Sequence, residues 1–140
     1  MPSQPHSDVV TAGVRVQAAA QFLPDESEPD EKRFVYGYRI TLINEGARPA
    51  QLLSRHWVIL DGEGRRRDVK GPGVVGQQPR LETGQRFAYT SFSPLATTWG
   101  TMEGSFTFRY DDDTTFEVAV GRFLLVPTAP PLDLALSAGR

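Results

Sequence analysis

The chain has 140 residues and a formal net charge of -2, long enough for one domain with its own hydrophobic core and with no overall electrostatic reason to seek nucleic acid. It has no cysteine, which excludes disulfide frameworks, thiolate nucleophiles, Cys-type zinc sites and iron–sulfur clusters. No basic start leads into an apolar run and no stretch approaches the roughly 20 apolar residues of a membrane span, so the expectation is a cytoplasmic protein with no membrane or nucleic-acid partner.

Residues 1–11 are polar, carry Pro2 and Pro5 and show no period, which predicts a flexible N-terminal tail. Val14 and Val16 alternate with Arg15 and Gln17 ahead of Ala18 to Leu23, a first strand. Pro24 to Lys32 is an acidic connection without the spacing of an EF-hand. Phe34, Tyr36, Tyr38, Ile40 and Leu42 then share one face, the pattern of a half-buried strand. Asn44-Glu45-Gly46 turns the chain into Ala50 to Leu60, where Arg55, Trp57 and Ile59 share a face. Asp61-Gly62-Glu63-Gly64 leads to a short polar strand from Arg65 to Lys70 and to a glycine loop, Gly71 to Gly76.

Beyond the loop, a strand is predicted from Arg86 to Ser91 and a loop from Ser93 to Gly100. A strand with Met102, Phe106 and Phe108 on one face follows. The Asp111-Asp112-Asp113 turn leads to a last strand reaching Val126, and residues 128–140 read as a C-terminal tail. Seven or eight short strands with Gly, Asp and Asn turns indicate an all-β domain over residues 12–127. The expected fold is an antiparallel β-sandwich of the fibronectin III/immunoglobulin-like kind. Leu81, Gly84 and Phe87 echo the leucine-glycine-aromatic corner of such domains.

Gly71-Pro72-Gly73-Val74-Val75-Gly76 matches G-x-G-x-x-G, but Pro79 follows closely and no amphipathic helix begins, so the dinucleotide fingerprint lacks the strand–helix context it needs. Two readings survive. The glycines form a sharp corner between strands, or their open amides make a concave anion nest with Arg67, Lys70 or Arg80 supplying charge. Between Arg65 and Arg86, six basic side chains face only Asp68 and Glu82. The inventory for catalysis is thin: His6 lies in the tail, and Ser54, His56 and Asp61 are too spread along one strand for a triad, since i and i+2 side chains are roughly 7 Å apart. Asp68 and Glu103 read as isolated carboxylates, and the three aspartates as a plain turn. Trp57, Trp99, Phe92 and Met102 are candidates to frame an apolar pocket, with Trp57 and Met102 expected in the core. No catalytic residue, cofactor or metal site is expected.

Arg55-x-Trp57-x-Ile59, Val69-Lys70-Gly71-Pro72-Gly73-Val74-Val75-Gly76-Gln77-Gln78-Pro79, Gly84-x-x-Phe87-x-Tyr89-x-Ser91, Gly100-Thr101-Met102-Glu103-Gly104 and Phe123-x-Leu125-x-x-Pro127 closely resemble the ApaG family from about Val14 to Pro127. Thr83 stands where that family commonly has proline, and Phe92-Ser93 replaces a more usual Gly-Cys-like pair. The resemblance implies a fibronectin III-like sandwich that occurs alone in bacteria and fused to other modules in eukaryotic F-box and polymerase-interacting proteins. It also implies an association with cobalt resistance and magnesium efflux, and gene neighbours for diadenosine tetraphosphate hydrolysis. It transfers no catalytic residue. The expectation is therefore a non-enzymatic interaction module with a protein partner. The alternative is an anion sensor binding pyrophosphate or a (di)nucleotide at Gly71, Gly73, Gly76, Arg67, Lys70 and Arg80.

Overall fold

The computed structural model describes residues 4–132 and 134. Nine strands run through them: β1 (His6–Thr11), β2 (Val14–Phe22), β3 (Phe34–Asn44), β4 (Ala50–Asp61), β5 (Arg66–Pro72), β6 (Arg80–Leu81), β7 (Arg86–Leu95), β8 (Gly100–Tyr110) and β9 (Thr115–Leu125). The helical content among the described residues is two 3-10 turns, Pro24–Glu26 and Pro29–Glu31. One sheet has the order β1-β2-β3-β7 and the other β5-β4-β8-β9, with β6 pairing β4. Every pairing is antiparallel, and the two sheets face each other as a β-sandwich.

The alternation read in β3 sets the core. Tyr36, Tyr38, Ile40 and Leu42 are buried on its inner face, opposite the inner residues of β4, β8 and β9. Trp57 is the hub: its ring lies 5.5 Å from Tyr38, 5.9 Å from Phe106 and 6.1 Å from Phe123, each in an edge-to-face arrangement, the geometry aromatic quadrupoles favour. Trp57 and Met102 are thus core residues, as expected. Buried Asn44 fastens one sheet to the β6 corner by donating to the carbonyls of Arg48 and Leu81.

The described strands number nine rather than seven or eight, and two stretches differ most from the expectation. The segment read as a tail forms β1, paired residue by residue with β2 from His6↔Ala19 to Thr11↔Val14. A tight turn at Ala12 (φ 50) and Gly13 (φ 82) makes the hairpin, and its strand is polar because it lies at a sheet edge, where periodicity is weak. Likewise β7 runs on through Pro94 to Leu95. Proline is tolerated there because β7 pairs β3 on one side only.

The two flanks of the sandwich are unlike. On one, β1 lies against β9, with Leu124 N–H donating to the Gln4 carbonyl at 2.6 Å and Ser7 Oγ to the Gly121 carbonyl at 2.7 Å. On the other, edge strands β5 and β7 lie beside each other and a cleft opens between them.

Candidate functional site

The cleft begins as a cavity of about 220 Å³ lined by Tyr38, Arg55, Trp57, Arg67, Ser91 and Ser93 among others. Toward the glycine loop it adjoins a second cavity of about 260 Å³ lined by Tyr38, Arg55, Val74, Val75, Gly76, Tyr89 and Ser91. Two sheets contribute the walls: β3 and β7 bring the tyrosines and serines, β4 and β5 the tryptophan and arginines. Neither cavity has an acidic residue in its lining.

Arg55 enters from the inner face of β4, two residues before Trp57. Its Nη1 donates to the carbonyls of Pro72 and Gly73, both at 3.0 Å. Arg67 on β5 reaches across the cleft, its Nη2 donating to Ser93 Oγ at 3.2 Å and to the Pro94 carbonyl at 3.0 Å. Most arginines of this chain are matched to carboxylates, for example Arg15 with Asp8 and Arg122 with Glu103. Arg55 and Arg67 have no carboxylate partner among the described residues, and each guanidinium offers five N–H donors, so their charge and several donors remain for another acceptor.

Two residues of the walls have buried donors that the protein leaves unpaired. Trp57 and Tyr89 are each 2% exposed, yet neither Trp57 Nε1 nor the Tyr89 hydroxyl has a hydrogen-bond partner among the described residues. Buried polar groups are ordinarily bonded, and orphans need a physical reason. Tyr38 is hydrogen-bonded to Ser91, and burial raises its phenol pKa while that bond and the Arg55 and Arg67 charges pull it back. Burial pushes the Tyr89 phenol well above its ordinary value, the Tyr38 neighbour adds to this, and Arg55 opposes it. Both phenols are therefore neutral donors at physiological pH, near two fixed positive charges.

Three amides in and beside the glycine loop are already bonded within the fold. Gly73 (φ 63) donates its N–H to the Leu53 carbonyl, and Val74 and Gln77 exchange two backbone bonds around Val75 (φ 43) and Gly76 (φ 79), a two-residue turn of the kind that favours positive φ at both centres. The amides of Gly73, Val74 and Gln77 are thereby used internally. Gly71 lies in β5 opposite Arg55, and a Cβ there would sit 3.1 Å from both Arg55 Nη1 and Nη2. The loop is thus a corner whose carbonyls and missing side chain seat Arg55. Of the residues expected at an anion site, Arg67 lines the cleft with Gly76, whereas Arg80 is held away by Asp111 and Glu82. Lys70 is exposed, opposite His56.

The other candidates disperse. His56 points to the outer face of β4, where its Nε2 lies 2.7 Å from Asp68 Oδ2. Asp68 is held well below the usual carboxylate range, first by Arg66 and then by His56. Asp61 caps its own turn and binds Arg65. The supposed isolated carboxylates are therefore both partnered, Asp68 here and Glu103 with Arg122 at 2.8 Å. Phe92 and Met102 line the cleft with Trp57, but Trp99 does not, its indole covering Gly62 instead. Arg55, Tyr38 and Tyr89 were missed as site residues; the available signal was a charged Arg55 on the same strand face as a core tryptophan.

The sequence model of the ApaG domain matches residues 24–110. The chain belongs to the ApaG family. It is 49% identical over 112 residues to Protein ApaG of Aromatoleum aromaticum, covering 80% of this chain and 88% of that one. It is 46% identical over 120 residues to Protein ApaG of Anaeromyxobacter dehalogenans, covering 86% and 94%. Among solved structures, the putative ApaA protein of Bordetella pertussis superposes with a TM-score of 0.77 at 39% identity, covering 91% of this chain and 98% of that one. The stretch Gly100 to Gly104 that carries much of the ApaG resemblance has a packing reason: a Cβ on Gly104 would lie 2.0 Å from the His56 carbonyl oxygen, so only glycine lets β8 approach β4 there.

Proposed function

We propose that the chain is a recognition module and that it binds a phosphate-bearing small molecule in the cleft between β5 and β7. The observation that carries this reading is the pairing of two guanidiniums lacking carboxylate partners, Arg55 and Arg67, with the unbonded Tyr89 hydroxyl and Trp57 indole N–H in walls free of acidic residues. A phosphate or pyrophosphate supplies several acceptor oxygens and the negative charge that guanidinium donors match. The low-dielectric walls strengthen such bonds. No general base is supported by this geometry, because His56 and Asp68 are engaged with each other on the opposite face of the sheet.

Isothermal calorimetry and NMR titration with pyrophosphate, ATP and diadenosine tetraphosphate test the reading, with acetate as the carboxylate control. Pyrophosphate is expected to shift Arg55, Arg67 and Tyr89 signals. Arg55→Gln and Arg67→Gln should each weaken binding by about 10-fold or more, since hydrogen bonds to charged groups are worth about 1.5–3 kcal/mol. Arg80→Gln should leave it unchanged. The absence of heat and of cleft shifts at millimolar pyrophosphate and nucleotide would refute the proposal.

A further inference from the structure

The outer face of the β1-β2-β3-β7 sheet carries a second feature, which shares only Phe92 with the lining of the cleft. In one row across three strands, Gln21 of β2 pairs with Gly37 of β3, and Gly37 with Phe92 of β7. The middle of the row has no side chain, which leaves a dent between a polar amide and an aromatic ring. Phe92 stays 54% exposed beside Leu134, so its ring forms an open wall of the dent. Beside the dent is a cavity of about 560 Å³ lined by Gln21, Phe22, Leu23, Pro24 and Phe92, with Asp25 and Glu26 at its lip.

Leu134 also lines that cavity. Its Cδ1 would lie 2.6 Å from a Cβ placed on Gly37, so the leucine side chain occupies the space that the glycine leaves. Two polar contacts hold the approaching backbone: Leu132 N–H donates to Gln21 Oε1 at 2.8 Å, and Thr90 Oγ1 donates to the Leu134 carbonyl at 3.2 Å. The dent takes the leucine side chain and the sheet's side chains hold its backbone, a side-chain pocket joined to backbone hydrogen bonds.

We propose that this face is a docking site for an extended leucine-bearing segment, and that its occupant is the chain's own C-terminal segment, seated through Leu132 and Leu134. Pro130 and Pro131 favour an extended approach and lower the entropy lost on docking. Because the segment is tethered, it competes with any free segment at an effective concentration on the order of millimolar. A partner bearing the same motif must displace it.

The test uses the full chain. NMR spectra of Leu134→Asp against the parent should show shifts at Gln21, Gly37, Thr90 and Phe92, because a charged side chain leaves the dent. A labelled peptide of residues 127–140 should then bind Leu134→Asp at least ten-fold more tightly than the parent, whose dent is filled. Gly37→Val on the Leu134→Asp background should abolish that binding. With Leu134 replaced in that background, the new Cβ meets Leu23 Cδ1 at 3.2 Å, the end of a flexible side chain, so the strand accommodates it. Phe92→Asp is the second blocking variant and decides the matter if the Gly37 variant does not fold. Shifts confined to residues beyond 126, equal peptide affinity for parent and Leu134→Asp, or no binding to either at millimolar peptide would overturn the proposal.

Discussion

Tyr89→Phe separates the needs of the fold from those of the cleft. The substitution keeps the ring, which is 2% exposed and packs 6.2 Å from Phe87, and removes an oxygen with no hydrogen-bond partner. A buried hydroxyl without a partner costs about 1–3 kcal/mol in proteins. The phenylalanine variant should therefore be as stable as the parent or more stable, by up to about 1 kcal/mol once lost packing of the oxygen is set against that gain. Urea unfolding followed by tryptophan fluorescence reads this as a raised midpoint at unchanged m. The same variant should bind pyrophosphate about 3- to 10-fold more weakly, the worth of one neutral hydrogen bond. A fall in stability beyond ~1 kcal/mol without ligand would show that the hydroxyl is already bonded in the free protein, and the argument that it awaits a ligand would fail.

Three further expectations concern the frame around the cleft. Gly73→Val should destabilise the protein by more than ~1 kcal/mol in urea unfolding, because residue 73 has φ 63 and a Cβ would lie 2.4 Å from the Gln77 carbonyl oxygen; an unchanged midpoint would contradict this. Gly104→Ala, whose Cβ would meet the His56 carbonyl at 2.0 Å, should cost about 2 kcal/mol or more by prying β8 from β4, and thermal unfolding measures it. Burial raises the phenols of Tyr36, Tyr38 and Tyr89 above their ordinary value of 10.0. The fold therefore favours their protonated forms, a contribution complete below about pH 10 and lost as pH climbs through the raised values. The melting temperature should fall above pH 10, and less steeply in Tyr89→Phe; a flat profile to pH 12 would refute it.

The sandwich was legible because its strands announce themselves by period. Tyr36 to Leu42 and Met102 to Phe108 alternate over enough residues to fix which face is buried, and those faces meet at Trp57. β1 was not legible: an edge strand with polar residues has no buried face to impose alternation, and its pairing shows only in the Ala12-Gly13 turn. The cleft was legible only in part. Arg67 and the glycines stood out as composition, whereas the tyrosines lie on β3 and β7, brought opposite Arg55 by the stacking of two sheets. No spacing within one strand encodes that meeting. Arg80 illustrates the converse, since one of its two carboxylate partners, Asp111, is 31 residues away and invisible in the local charge pattern.

The glycine motif and Arg55 form one unit, and that unit can be tested apart from stability. An anion nest would act through N–H groups, but here the loop acts through oxygens: the Pro72 and Gly73 carbonyls receive Arg55 Nη1, and bare Gly71 lets the guanidinium lie against the strand. Gly71→Ala places a methyl 3.1 Å from Nη1 and Nη2 and 3.3 Å from Cζ, closer than most Cβ contacts. The guanidinium ends a flexible side chain, so it should yield by a few tenths of an ångström, with less than ~1 kcal/mol lost from the fold. The seat is what suffers, because two 3.0 Å bonds have little room to lengthen before they weaken. Pyrophosphate affinity should fall several-fold while the urea midpoint barely moves. Parent-like affinity in Gly71→Ala would mean that Arg55 recognises its ligand from more than one position, and the loop would then be a corner and nothing else.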